Sequence, residues 1–440
     1  MEQPFRTITQ YGAVADGHTR CTGPIQAAID AAGRAGGGTV WVPPGTFYTG
    51  PITLQSHVTL HLDNGTRLLF SDDPADYPLI ETYYEGEAVL AAMPQVFADH
   101  AENIAITGQG TLDGNGMVWW ALQRSRKLTH PRPRLIGFQH CNQVRIDSVT
   151  LLNSPSWTIN PVLCDNVTIR GVTVINPPDS PNTDGINPDS CRQVHISDCH
   201  IDVGDDCITL KSGNHKRQPR QPCENIVITN CTMVHGHGGV VIGSEMSGGV
   251  RNVTISNCVF TGTDRGIRIK TQRRRGGLVE NIRVSNIVME QVLCPLVINM
   301  QYWGKTTKAD TWAWDETPQA VDDGTPAIRN VSLSQLTARG IRAAAAYLSG
   351  LPEMKLSDIS LADIDLEMAE QADPARPAMS HLAPPMAGQG LIARHVTGLS
   401  LSQVRIRRAR GLSFTFEDCD NVMQQGCRPE PAEGPNRSEP

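Results

Sequence analysis

The sequence predicts an all-β chain wound as a single-stranded parallel β-helix. Three observations carry this. A short phrase of the form x-Asn-Val-x-Ile-Ser-Asn-Cys recurs, as in ENIVITNCT from 224, RNVTISNCV from 251 and ENIRVSNIV from 280. Within each copy apolar and polar residues alternate over about six positions, and β-branched residues dominate, which is a strand pattern rather than a helical one. The 40 glycines and 30 prolines in 440 residues suit a fold with many turns and are too few for a low-complexity chain. Short strands recurring at a regular period and returning through turns stack in register as a solenoid.

The elements follow in chain order. Residues 1–50 read as an N-terminal cap, since a solenoid end must be covered. Within them PIQAAIDAAGR, residues 24–34, places Ile25 and Ile29 four apart and Pro24 in the first turn, so a helix is expected there. Gly36–Gly38 end it, and TVWVP starts a strand. Residues 51–427 read as the β-helix proper. The first apolar residue of each copy marks the phase: Val58, Ile104, Val144, Val167, Val194, Ile226, Val253, Ile282, Val331, Met354, Leu399 and Val422. The base step is 23–32 residues, with longer steps up to 49. Each longer step is either one coil with a long loop or two coils with one weak copy. Five residues after the marker stand Cys199, Cys231 and Cys258, which predicts a buried interior column of thiols. No linker divides the chain. Residues 428–440 carry one alanine as their only apolar side chain and read as a disordered tail.

Composition excludes several classes. The formal charge of −7 gives no support to a nucleic-acid binder. No run of about 18 apolar residues exists to span a membrane. The opening MEQPFRTITQ lacks the apolar core of a signal peptide, so a cytoplasmic protein is expected, or a secreted or periplasmic one if a signal was removed. A solenoid monomer is the default. Twelve cysteines without a C-x-x-C pair make neither a disulfide scaffold nor a zinc site. Cys191, His195 and Cys199 come nearest to a metal spacing and read as structural. No metal and no cofactor is expected.

Four phrases follow successive repeat strands: Asn182-Thr183-Asp184-Gly185, Gly204-Asp205-Asp206-Cys207, Gly236-His237-Gly238 and Arg268-Ile269-Lys270. Asp205 stands 11 residues past Val194, and His237 stands 11 past Ile226, so the two share a phase. With about 4.8 Å between stacked strands, four coils bring these side chains to one patch. A single Asp-Asp pair in a turn is usually solvated. Three carboxylates in one patch instead repel, which raises a carboxyl pKa and leaves a proton donor beside ionised partners. That arrangement suits glycoside hydrolysis by carboxyl groups. Gly236 and Gly238 let a substrate approach the backbone closely.

These four motifs, in this order and spacing and together with YGAVADG near the start, resemble the family 28 glycoside hydrolases, the polygalacturonases, over roughly residues 5–425. The resemblance implies a right-handed, pectin-lyase-like parallel β-helix and hydrolysis of α-1,4-linked galacturonate in pectin or oligogalacturonides with inversion. Carried over by motif, Asp205 is the general acid, Asp184 and Asp206 hold and deprotonate the water, and His237 tunes the acid. Asn182 and Gly238 complete the motifs at the substrate, and Arg268 and Lys270 bind the sugar carboxylate. Arg268 and Lys270 lie two apart on one strand face, where neutralising the aspartates is their other reading. Several members of the family bridge cysteines placed like Cys207 and Cys223, whereas a reducing compartment keeps such thiols free.

The stretch VIGSEMSGGV, residues 241–250, resembles bacterial exo-acting members. Exo action also fits a chain without a secretion signal, which meets imported oligosaccharides. The inserts at about 70–100 and 302–326 could wall off one end of a cleft. His235 reads as structural or outlying. Arg273–Arg275 form either a solvated run or further carboxylate contacts. Trp303, Trp312 and Trp314 either stack on sugar or bury within their insert. Other readings are rhamnogalacturonan hydrolysis within the same family, a calcium-dependent pectate lyase, and a non-catalytic polysaccharide-binding β-helix.

Overall fold

A computed structural model describes residues 5–304, 306–307 and 309–431. The chain divides into two compact units, Met1–Cys231 and Thr232–Pro440. The division falls inside a repeat copy, with no linker-like composition around it. Both units consist of parallel β-helix coils, as the repeat predicts. No described helix is long and apolar enough to cross a membrane.

In the first unit a full coil has three faces, usually one strand each. Asn142–Asp147, Thr150–Leu152 and Ile159–Val162 make one such coil. The first face stacks in the predicted register, with Ile104 opposite Val144, Val144 opposite Val167, Val167 opposite Val194 and Val194 opposite Ile226. These marker residues are buried, and full burial of one such side chain contributes roughly 1.5–3 kcal/mol. The asparagine before the marker has a structural cause. Asn103, Asn166 and Asn225 have φ between 53° and 59°, a left-handed corner that asparagine tolerates better than most residues. Asn166 Nδ2 also donates to Asn142 Oδ1 at 2.8 Å, tying one corner to the next.

The second unit repeats this design. Val253 is opposite Ile282, and Ile282 opposite Val331. Its corner asparagines form a ladder, with Asn281 donating to Asn252 at 3.1 Å and Asn330 to Asn281 at 2.6 Å. The long step from Ile282 to Val331 is therefore one coil with a long loop. So is the step from Val58 to Ile104, because Ala105 pairs with Thr59.

Several expectations need correction. The column residue after Val331 is Ile359, not Met354, and Ile359 in turn faces Leu399. Met354 belongs to the turn before the strand, held by reciprocal backbone bonds with Leu351. The ladders also begin before residue 50, since Gly38–Val42 pairs with Val58–Leu62 and Gly45–Thr49 with Thr66–Phe70. The expected cap helix is present as Thr22–Arg34 and buries Ile25 and Ile29. At the other end Arg428–Pro431 pairs with Gln389–Ala409. Backbone pairing to a formed edge needs no apolar side chain, and proline is tolerated on an edge strand. The rest of the expected tail, 432–440, lies outside the described residues.

None of the twelve cysteines is in a disulfide. Cys199, Cys231 and Cys258 are buried as expected. A second column, Cys141, Cys164, Cys191 and Cys223, precedes the first-face strands of the first unit. Cys191 and Cys199 point inward while His195 between them is exposed, so that trio cannot converge on a metal.

Candidate active site

The third face of the first unit begins with the sheet Ile52–Thr53, Val96–Asp99, Ile136–Gln139 and Ile159–Val162. It continues through bridges from Ile159 to Ile186 and from Ile186 to Ile208. The aspartates enter at the leading end of this face. The Asp184 carbonyl accepts from Thr158 N at 2.8 Å, and the Asp206 carbonyl accepts from Gly185 N at 3.0 Å. The motif glycines are required by contact. A Cβ on Gly185 would stand 2.4 Å from Cys207 O, and one on Gly204 would stand 2.4 Å from Ser180 O.

This packing brings Asp184, Asp205 and Asp206 together, with one oxygen of each within 4.8 Å of the others. Asp184 is only 3% exposed, and its carboxyl accepts from Asn187 Nδ2 at 2.9 Å. Burial first, then the facing Asp205 charge, push its carboxyl up to about 8, against the pull of Lys211. At neutral pH the free cluster therefore holds a proton, drawn to Asp184 by its burial and by the facing Asp205. Asp205 is less buried. Its Oδ2 lies 3.4 Å from Asn182 Nδ2, and its Oδ1 accepts from the Asp206 backbone N–H at 3.0 Å.

Asn182 is itself oriented. The buried Arg132 donates to Asn182 Oδ1 at 2.8 Å and to the carbonyls of Pro155 and Pro181. Arg132 lies outside every motif and sequence reasoning missed it. So did it miss the cation and aromatics around the cluster. The buried Lys211 ammonium stands 5.0 Å from the centroid of the Trp157 ring, and Trp157 stacks on Tyr84 at 4.7 Å. Tyr84 belongs to the hairpin Leu79–Tyr84 and Glu87–Ala92, part of the first insert. The hairpin is fastened to the loop after the strand that begins at Asp206. Asn214 donates to Glu85 O and Glu87 Oε1, Lys216 pairs with Glu87 at 2.9 Å, and Arg217 donates to Gly86 O.

In the second unit His237 precedes the buried strand Gly238–Gly243. Its Nδ1 lies 2.9 Å from Asp264 Oδ2. Burial alone would raise the Asp264 carboxyl, but the His237 bond and the charges of Arg265 and Arg268 outweigh it and hold the carboxyl low. An ionised Asp264 fixes Nδ1 of His237 as the donor. Asp264 stands 11 residues past Val253, the phase already shared by Asp205 and His237, so counting one coil further would have found it.

Arg268 and Lys270 share one face of Arg265–Lys270. They are only 2% and 7% exposed, and both approach the Tyr302 ring, Arg268 at 5.8 Å and Lys270 at 5.4 Å from its centroid. Arg268 also reaches His237 O at 3.4 Å and Met379 Sδ at 2.9 Å.

The weaker candidates divide clearly. Arg273 forks onto Glu353 at 2.6 and 2.8 Å and donates to the carbonyls of Trp312 and Asp315, so it anchors the 302–326 insert. Arg274 lies over Trp312 at 4.1 Å. Trp303 and Trp314 pack against His381 at 5.1 and 4.1 Å. All three tryptophans thus pack against side chains from outside their own insert. His235 is exposed at a left-handed corner. Cys207 and Cys223 are buried, unbridged thiols. Among the described residues two groups could hold a metal ion, the aspartate cluster and Asp99, His100 and His140.

Comparison with known proteins gives a consistent answer. The model of the family described as glycosyl hydrolases family 28 matches residues 48–379. A second model, rhamnogalacturonase A/epimerase, pectate lyase-like, matches residues 5–68. A probable polygalacturonase of Vitis vinifera is 35% identical over 378 residues, covering 83% of this chain and 75% of its own length. An endo-polygalacturonase of Pectobacterium carotovorum subsp. carotovorum is 33% identical over 302 residues, covering 64% of this chain and 72% of its own. The crystal structure of a hyperthermoactive exopolygalacturonase from Thermotoga maritima superposes with a TM-score of 0.75 at 32% identity, covering 86% of this chain and 89% of its own.

Proposed function

From its membership of the glycosyl hydrolases family 28, to which the chain belongs, we propose that this glycoside hydrolase cleaves α-1,4 bonds between galacturonate residues of pectic chains, from a chain end and with inversion. The observation that carries the chemistry is the cluster of Asp184, Asp205 and Asp206, which keeps one proton at neutral pH beside ionisable partners. Asp205, the more accessible carboxyl, donates to the leaving oxygen. The proton that the cluster holds in the free protein is the one delivered. Asp184 and Asp206 then flank the water and take its proton. His237, its tautomer set by Asp264, tunes the acid, and Asn182, oriented by Arg132, steadies Asp205.

The buried pair Arg268 and Lys270 supports an acidic sugar, because ordered cations beside an aromatic ring suit a carboxylate held against a sugar face. Exo action is supported by the Leu79–Ala92 hairpin, which is clamped beside the strand of Asp206 and carries Tyr84 onto Trp157. The exopolygalacturonase relative points the same way. The endo-polygalacturonase relative makes product analysis the deciding test. Inversion rests on the family mechanism. The carboxylates stand closer than the roughly 6.5–9.5 Å usual for an inverting pair, but three carboxylates allow two to grip one water while the third donates.

The test is chromatography of products from polygalacturonate and defined oligogalacturonides, with viscosity followed in parallel. Free galacturonate or a short end product from the first minutes, with slowly falling viscosity, is expected. A rapid viscosity drop with mid-length oligomers refutes exo action. Proton NMR of the first product reads the anomer, and a retained α-anomer refutes inversion. Rhamnogalacturonan is run alongside because of the N-terminal rhamnogalacturonase-type match, which lies outside the site motifs.

A further inference from the structure

The first unit holds a second convergence of ligating side chains that no repeat phrase or site motif contains. Val96–Asp99 and Ile136–Gln139 pair in register, with Asp99 opposite Gln139. The next residue on each strand is a histidine in the left-handed region, His100 at φ 51° and His140 at φ 54°. Both backbones are pinned by hydrogen bonds of 3.0 Å, from His100 N to Gln139 O and from His140 N to Val162 O. Identical corners on adjacent coils therefore aim both side chains the same way. Their rings stack at 4.6 Å and 19°. Asp99 Oδ1 lies 2.6 Å from His100 Nδ1. One ligating atom from each of the three residues lies within 4.8 Å of the others. Outside them, Tyr83 Oη stands 3.3 Å from His140 Nε2, and the Arg217 guanidinium lies over the Tyr83 ring.

We propose that Asp99, His100 and His140 bind a divalent first-row transition cation of the zinc type. Two imidazoles and one carboxylate are the donors such ions prefer, and three protein ligands leave a fourth position for water. Calcium, which takes six to eight oxygens, finds only one carboxylate here. The tyrosine hydroxyl on Nε2 is the outer partner that a ligating histidine needs to present Nδ1. Ligand atoms on a tetrahedral zinc stand roughly 3.3 Å apart. Closing from the present spacing takes side-chain rotation on exposed Asp99 and His100, with the backbone unmoved.

The bound ion would join two successive coils and, through Tyr83, the hairpin. It sits at the trailing end of the third face, whereas Asp184 enters at the leading end. Five residues of strand, roughly 16 Å at about 3.3 Å each, separate the two levels. The site is thus structural and distinct from the aspartate cluster.

The test is calorimetric titration of the chelator-stripped full chain with zinc chloride, repeated on Asp205→Asn to silence the aspartate cluster. One site of micromolar affinity or tighter is expected in both proteins. Asp99→Asn and His140→Gln, each retaining side-chain bulk, should each weaken it at least about tenfold. X-ray absorption of the loaded protein should report two imidazole nitrogens. The proposal is overturned if no site is tighter than roughly 100 μM, if Asp99→Asn and His140→Gln bind zinc like the parent, or if Asp205→Asn alone abolishes binding.

Discussion

Replacing Asp184 by asparagine should inactivate the enzyme and stabilise its fold, and the stabilisation should depend on pH. The Asp184 carboxyl is raised from 3.8 to about 8 by burial and by Asp205. In that interval the native state binds a proton that the unfolded chain releases, so the group's contribution to stability is complete below about pH 4 and is lost as pH rises toward 8. Each pH unit in the window is worth about 1.4 kcal/mol, giving at most about 4 kcal/mol at pH 7. Because the aspartates titrate together, about 2 kcal/mol is the more realistic figure. Asparagine removes the charge and keeps an oxygen for the Asn187 hydrogen bond. Asp184→Asn should therefore raise the melting point of the unit Met1–Cys231 by about 4–8 °C near pH 7.5, since 1 kcal/mol shifts a unit of about 150–250 residues by about 2–4 °C. Near pH 4 the two melting points should coincide. Turnover should fall at least about 10²-fold. Scanning fluorimetry across this pH range checks the first part and oligogalacturonide turnover the second. A melting difference that stays constant with pH, or a mutant less stable at pH 7.5, would refute the reasoning about where the proton sits.

Asp264→Asn should lower kcat/KM on oligogalacturonides about 5–10-fold, because the bond to a half-exposed His237 is worth only about 1 kcal/mol. The loss should fall on kcat and shift the pH profile, and an unchanged profile would make Asp264 merely structural. Lys270→Met should cost about 10–150-fold on galacturonate oligomers, the value of one charge-assisted hydrogen bond. It should cost far less on oligomers whose carboxyl is reduced to an alcohol, and equal losses on both would show that the cation only offsets nearby acids. Cys207 and Cys223 should both be alkylated after denaturation without reductant, since neither is in a disulfide; mass spectrometry finding either one protected would indicate a bridge.

Strand alternation, a left-handed corner residue (asparagine before Val167 and Ile226, glutamine before Val144 and Val194) and the step length are local properties that the copies of the phrase share. That is why Val144, Val167, Val194 and Ile226 could be aligned from sequence as they align in space. The same locality explains the Met354 error: its alternation passes the test, yet the tertiary register selects Ile359. The motif residues of the aspartate cluster were legible because solenoid phase turns sequence distance into spatial distance. Their protonation was not, since it depends on how deeply Asp184 sinks beneath residues far from it in the chain. Arg132 reaches Asn182 across 50 residues, Asn214 reaches Glu87 across 127, and the insert lengths between them follow no period. His100 and His140 likewise meet only because two loops of unrelated length return to the same corner. A repeating sequence determines the scaffold and the phase of its loops, whereas the charges, clamps and side-chain meetings that make a site depend on non-local packing that only the folded chain decides.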